Sequence, residues 1–105
     1  MTAAEIFAQM PEAFMANKAG NMRATYQFNL SGEGGGDWAV TVADGTCIVV
    51  EGQSEKPSVI IGMAASDFVK MISGELQPVV AFMQGKIRLQ GDTSLALKLQ
   101  EIFAR

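Results

Sequence analysis

The 105-residue sequence contains no histidine. Its absence removes the side chain that most often acts as general base, the commonest imidazole metal ligand, and every Ser-His or Cys-His nucleophile pairing. A single cysteine, Cys47, excludes an intramolecular disulfide and with it the stapled scaffold of a small secreted domain. No Lys or Arg stands next to Cys47, so it reads as a small apolar side chain in a strand rather than a reactive thiol. Basic residues are few: eight Lys and Arg stand against eleven Asp and Glu, for a formal net charge of −3. That balance leaves no electrostatic footprint for nucleic acid or an anionic membrane surface. No apolar run approaches the ~20 residues of a membrane span, and residues 1–11 lack the basic start and apolar core of a signal peptide. The closing Phe103-Ala104-Arg105 is not a Ser-Lys-Leu type of peroxisomal address. The expectation is a soluble cytoplasmic protein.

Catalytic and metal-binding motifs are equally scarce. Glu33, Asp37, Asp44, Glu51, Glu55 and Asp92 are scattered over turns and caps, without the alternating acids and closing glutamate of a calcium loop. Ser66 and Lys70, like Ser94 and Lys98, stand four apart, which is helix-surface spacing and not a Ser-x-x-Lys motif. The run Gly32-Glu33-Gly34-Gly35-Gly36 precedes a strand instead of a helix, so it reads as a hairpin loop and not a phosphate cradle. No metal, cofactor or catalytic residue is expected, and the protein reads as a non-enzyme.

What the chain has in quantity is apolar surface: 49% of its residues are hydrophobic and 18% charged. A chain of this length buries about two-thirds of its unfolded surface in one core, so residues 1–105 are expected to form one domain. Thr2-Ala3-Ala4-Glu5 has the capping-box spacing of a helix start, followed by Phe7, Met10 and Phe14 at helical intervals, with Pro11 placed to divide the segment. From residue 23 the period becomes two, placing Ala24, Tyr26, Phe28 and Leu30 on one strand face. A loop over 31–37 leads to Trp38, Val40 and Val42 on a second strand. Asp44-Gly45 supplies a two-residue hairpin turn into a third strand at 46–51, whose Ile48 and Val50 are read as inward-facing. A fourth strand spans 58–62. Ser66 or a neighbour then caps a short helix ended by Gly74, and Pro78 opens another that ends near Gly85. A fifth strand at 86–90 and a final helix capped by Asp92 complete an α+β arrangement.

The second half is crowded with large apolar side chains on short elements, and seven methionines occur in the chain. Methionine is unbranched and polarizable and suits a surface that repacks around variable apolar ligands. The same side chains also build an ordinary core, and spacing does not separate the two readings.

The stretch from Ile60-Ile61-Gly62-Met63 through Ser66-Asp67-Phe68, then Gly74, Pro78-Val79-Val80-Ala81-Phe82-Met83-Gln84-Gly85-Lys86-Ile87, Gly91-Asp92 and Leu95 to Leu99 resembles the C-terminal half of the sterol-carrier-protein type-2 domain family. Tyr26-Gln27-Phe28, the Gly-rich loop, Trp38 and Asp44-Gly45 match its first half more loosely. The resemblance implies a five-stranded, mainly antiparallel sheet covered by helices, with an apolar tunnel between them for fatty acids, fatty acyl-CoA, sterols or similar lipids. It implies lining by Phe68, Met71, Ile72, Phe82, Met83, Leu95, Leu99 and Phe103, with Met71, Phe82 and Leu99 on helix faces that confront the sheet. Gln84 matches a glutamine at the family's cavity; alternatively, as a helix C-terminal residue, it bonds to backbone. The implied function is non-enzymatic lipid binding and transfer, or presentation of lipid as an accessory subunit of an enzyme complex. The implied partners are a lipid and, transiently, a membrane or enzyme complex, with no nucleic acid.

Overall fold

The computed structural model describes residues 2–102, the last four by backbone alone. In chain order the elements are α1 (Ala3–Ala13), α2 (Ala16–Ala19), β1 (Ala24–Ser31), β2 (Gly36–Ala43), β3 (Thr46–Glu51), β4 (Val59–Ala64), α3 (Ala65–Ser73), α4 (Pro78–Met83), β5 (Ile87–Gly91) and α5 (Thr93–Ile102). The strands form one sheet in the order β3-β2-β1-β4-β5, in which β1 and β4 run parallel and every other neighbouring pair antiparallel.

Local chemistry accounts for the boundaries. At the start of α1 the Thr2 N–H donates to Glu5 Oε1 at 2.8 Å and the Glu5 N–H donates to Thr2 Oγ1 at 3.2 Å, closing the capping box. The helix runs through Pro11 and breaks at Phe14, whose backbone is extended. Proline deletes one backbone donor, and so close to the end of the helix only the last turn is affected. Asp44 (φ 53°) and Gly45 (φ 74°) are both left-handed, as a type I′ hairpin turn requires. One expected cap is corrected: α3 follows β4 directly, its N-cap is Ala64, and no side chain caps it. The chain enters that helix directly from a paired strand. Gly74 ends α3 with φ 90°, and Pro78 occupies the first turn of α4.

The inner face of the sheet carries Tyr26, Phe28 and Leu30 from β1, Trp38, Val40 and Val42 from β2, and Val59, Ile61 and Met63 from β4, all buried. Ile48 and Val50, expected beside them, are instead 57% and 58% exposed. Pairing explains the correction: the two-residue turn sets Ala43 opposite Thr46, hence Val42 opposite Cys47 and Val40 opposite Val49. Opposed residues share a face, so Cys47 and Val49 point inward and their neighbours outward.

Gln27 lies on the other face yet is fully buried. The connection from β3 to β4, residues 52–58, folds over it. Gln27 Nε2 donates to the Gly52 carbonyl at 2.9 Å, and the Ser54 N–H donates to Gln27 Oε1 at 2.7 Å. Further along, the Thr25 N–H donates to Ser58 Oγ at 3.0 Å, and the Ser58 N–H donates to the Thr25 carbonyl at 2.8 Å. These bonds strap the crossover to β1 and align β4 parallel to it.

Candidate functional site

The inner face has two unlike ends. Under α1 it is sealed. Phe7 is 1% exposed and stacks on Trp38 (centroids 4.6 Å, planes 14° apart) and on Phe68 (5.0 Å, 4°), while Phe28 meets it edge-on at 5.2 Å. Ile6 and Met10 complete the seal. Such ring pairs add to the area term that already favours their burial.

Toward β5 the apolar layer is unfinished. Ile87 and Leu89 oppose Met63 and Ile61 on the inner face, but both are only half-buried. Met71 and Ile72 from α3 and Leu95 from α5 are likewise half-buried against the core. Next to β5, α4 buries only Ala81 and leaves Val79 (60%), Val80 (39%), Phe82 (53%) and Met83 (79%) exposed. The apolar surface at this end is thus only partly covered. Tyr26 ties α5 to the sheet: its hydroxyl donates to the Leu95 carbonyl at 2.9 Å. Burial, with the negative charge of Asp92 adding to it, pushes the Tyr26 pKa up to about 12, so the ring stays neutral and keeps that proton. Asp92 accepts from the Ser94 N–H and hydroxyl at the start of α5, and these bonds hold its own carboxyl below the usual range.

The residues singled out from sequence fall into three groups. Phe68 is buried in the aromatic stack, while Met71, Ile72 and Leu95 are half-buried against the core. Phe82, Met83 and Gln84 are exposed; α4 turns Ala81 and not Phe82 toward the sheet, because the methyl allows the helix to sit close to β5. Gln84 is the C-cap of α4, its N–H donating to the Val80 carbonyl at 3.0 Å. The Leu99 side chain and the whole of Phe103 lie outside the described residues. Tyr26, Ile87 and Leu89 were not among the expected site residues. The alternation of β5 signals the last two, whereas the Tyr26 contact spans the chain and has no local signature.

Two open clefts elsewhere border none of the expected lining residues. One, of about 340 Å³, runs between α1 and β3 and is lined by Ala4, Phe7, Ala8, Pro11, Trp38, Val49 and Glu51. The other, of about 330 Å³, is on the outer face among Asn29, Ile60, Gly62, Arg88 and Gln90. Neither holds a nucleophile paired with a base. Cys47 is half-buried, and that burial pushes its thiol pKa up to about 11, which disfavours the thiolate. Among the described residues no group of three or more Cys, Asp or Glu could hold a metal ion, and no helix is long and apolar enough to cross a membrane.

Comparison with known proteins adds independent information. Mouse hydroxysteroid dehydrogenase-like protein 2 is 43% identical over 84 residues, a match covering 79% of this chain but only 17% of that protein. The solution structure of palmitated sterol carrier protein 2 like 2 from Aedes aegypti superposes with a TM-score of 0.80 at 27% identity, covering 96% of this chain and 93% of that one. A stereoselective inverting sec-alkylsulfatase from Pseudomonas sp. shares the fold over all of this chain and 17% of its own, with a TM-score of 0.87 at 18% identity. The model of the SCP-2 sterol transfer family matches residues 4–104, and the chain therefore belongs to that family.

Proposed function

We propose that this chain is a non-enzymatic lipid carrier whose ligand lies in a trough between the β4–β5 end of the sheet and α3, α4 and α5. The observation that carries the reading is the unfinished apolar layer. Four large side chains of one six-residue helix stand exposed at the end where five others are half-buried, while aromatic rings close-pack the opposite end of the same interior. Burying an acyl chain against such a surface supplies roughly 0.8 kcal/mol per CH₂ and needs no chemistry from the protein. Met71, Ile72, Leu95, Phe82 and Met83 are the proposed lining, with Phe68 as the inner wall. Gln84 stands at the mouth. The palmitated state of the Aedes aegypti relative supports a fatty acid as the first ligand to test.

The test is Met71→Trp. The indole fills space that a ligand would take, so the unliganded variant should unfold near the wild-type temperature while displacing far less fluorescent fatty acid. Native mass spectrometry of both proteins with added palmitate should show the complex only for wild type. Equal binding by both, or no complex with wild type, refutes the reading.

A second reading, presentation of lipid to an enzyme, is favoured by one observation: the mouse relative is a dehydrogenase-like protein in which the matching segment is a minor part. Recovery of this chain from its cell solely as a free protein would remove it.

A further inference from the structure

We propose that β3 is a self-association edge, along which two copies of this chain pair antiparallel over Thr46–Glu51 with Val49 on the twofold axis. This surface lies at the opposite edge of the sheet from the trough and does not depend on the lipid reading.

The strand has backbone groups to offer. The Gly52 N–H donates to the Asp37 carbonyl at 2.8 Å, which fixes the parity of the ladder: even-numbered residues of β3 bond to β2. Cys47, Val49 and Glu51 therefore aim their N–H and C=O groups away from the sheet. Among the described residues no hydrogen bond occupies them. Ile48 and Val50 stand exposed beside this edge.

Edge strands are ordinarily defended by charge, proline, a bulge or a cover. At the other edge β5 has Arg88 within it and Lys86 just before it; each edge strand has a helix beside it, α4 at β5 and α1 at β3, so charge is what distinguishes the two edges. From Thr46 to Val50, β3 has no charge and no proline, and its ladder with β2 is unbroken. The cleft between α1 and β3 runs along the same edge, and exposed Ala4, Ala8 and Pro11 present no long side chain that would obstruct an approaching strand.

The occupant is a second copy because the strand is complementary to itself. Antiparallel pairing with both inner faces on one side requires residue numbers that sum to an even value. Centring on Val49 opposes it to its own counterpart and Cys47 to Glu51, so every free backbone group gains a partner. It opposes exposed Ile48 to exposed Val50, apolar against apolar, and sets no two like charges opposite each other. The arrangement is isologous and closes as a dimer.

The experiment uses the full chain. Sedimentation equilibrium should show a concentration-dependent dimer that Val50→Lys abolishes while leaving the circular dichroism spectrum unchanged. Register is read by cross-linking in a Cys47→Ser background. Ile48→Cys and Val50→Cys are made as separate proteins, because opposed non-hydrogen-bonded residues have Cα atoms about 4.5 Å apart, within disulfide reach. Under mild oxidation the two together should form a mixed disulfide dimer, and each alone should not. A monomer at every soluble concentration overturns the proposal. So does a dimer that survives Val50→Lys and gives no mixed disulfide, since its contact lies elsewhere. Cross-linking of Ile48→Cys to itself overturns the Val49-centred register.

Discussion

Phe7→Ala separates the sealed end of the interior from the open one. Truncation of a fully buried Phe costs about 3–5 kcal/mol through lost transfer energy and the void left behind. Phe7 also loses three ring partners, at 4.6, 5.0 and 5.2 Å, and well-placed pairs contribute about 0.5–1.5 kcal/mol each without adding fully. The upper half of the range, about 4–5 kcal/mol, is therefore expected. A domain of this size has about 5–15 kcal/mol in total and loses about 4–8 °C of Tm per kcal/mol, so the variant should melt at least about 15 °C lower. Trp38 is the only tryptophan and is 7% exposed, so its fluorescence, monitored during thermal and urea unfolding, reports directly on the stack. At a temperature where the variant remains folded, a change in fatty-acid binding would report on Phe68, the proposed inner wall, on which Phe7 stacks at 5.0 Å. A loss below about 1.5 kcal/mol would show that α1 is not the seal and would refute the division of the interior argued above.

Two further outcomes follow from single side chains. Gln27→Leu should lower the urea midpoint by an amount equivalent to about 1–3 kcal/mol, because the Gly52 carbonyl and Ser54 N–H lose their partner under a folded loop; an unchanged midpoint would show that water replaces the amide freely. Tyr26 has its pKa raised in the folded protein, so the stability it contributes is full below its ordinary value of about 10 and is lost as pH rises through about 12. Tyr26→Phe, which also forgoes the bond to Leu95, should be less stable at neutral pH and lose less between those two values; parallel alkaline unfolding curves would contradict this.

Most elements were legible because each has a local cause: the capping box at Thr2, the Asp44-Gly45 turn, Gly74 and Pro78. The face of β3 was misread from its own apolar run, Cys47-Ile48-Val49-Val50, in which alternation has no unique parity. The adjacent turn contained the answer, since a two-residue hairpin dictates which residues oppose which. On α4, Phe82 was expected to confront the sheet, whereas Ala81 is the residue buried there. The second half of the sequence shows the apolar residues of the proposed site, but not which of them the helices leave uncovered. Half-burial of Met71, Ile87 and Leu95 depends on how far each helix covers the edge of the sheet, which no short-range pattern encodes. The burial of Gln27 on the outer face depends on a loop 25 or more residues away.

The parallel pairing of β1 with β4 has a kinetic consequence. The meander of β1, β2 and β3 closes through short connections and can form early, whereas Thr25 and Ser58 must meet across 33 residues. Closing so long a loop costs chain entropy before the contacts that offset it exist, which is the general reason that distant pairings fold slowly. Until the strap over Gln27 docks, β1 presents an unpaired side in the centre of the future sheet. A chain in which only the meander has formed has two open strand edges, β3 and β1, and is then most exposed to pairing with the wrong partner.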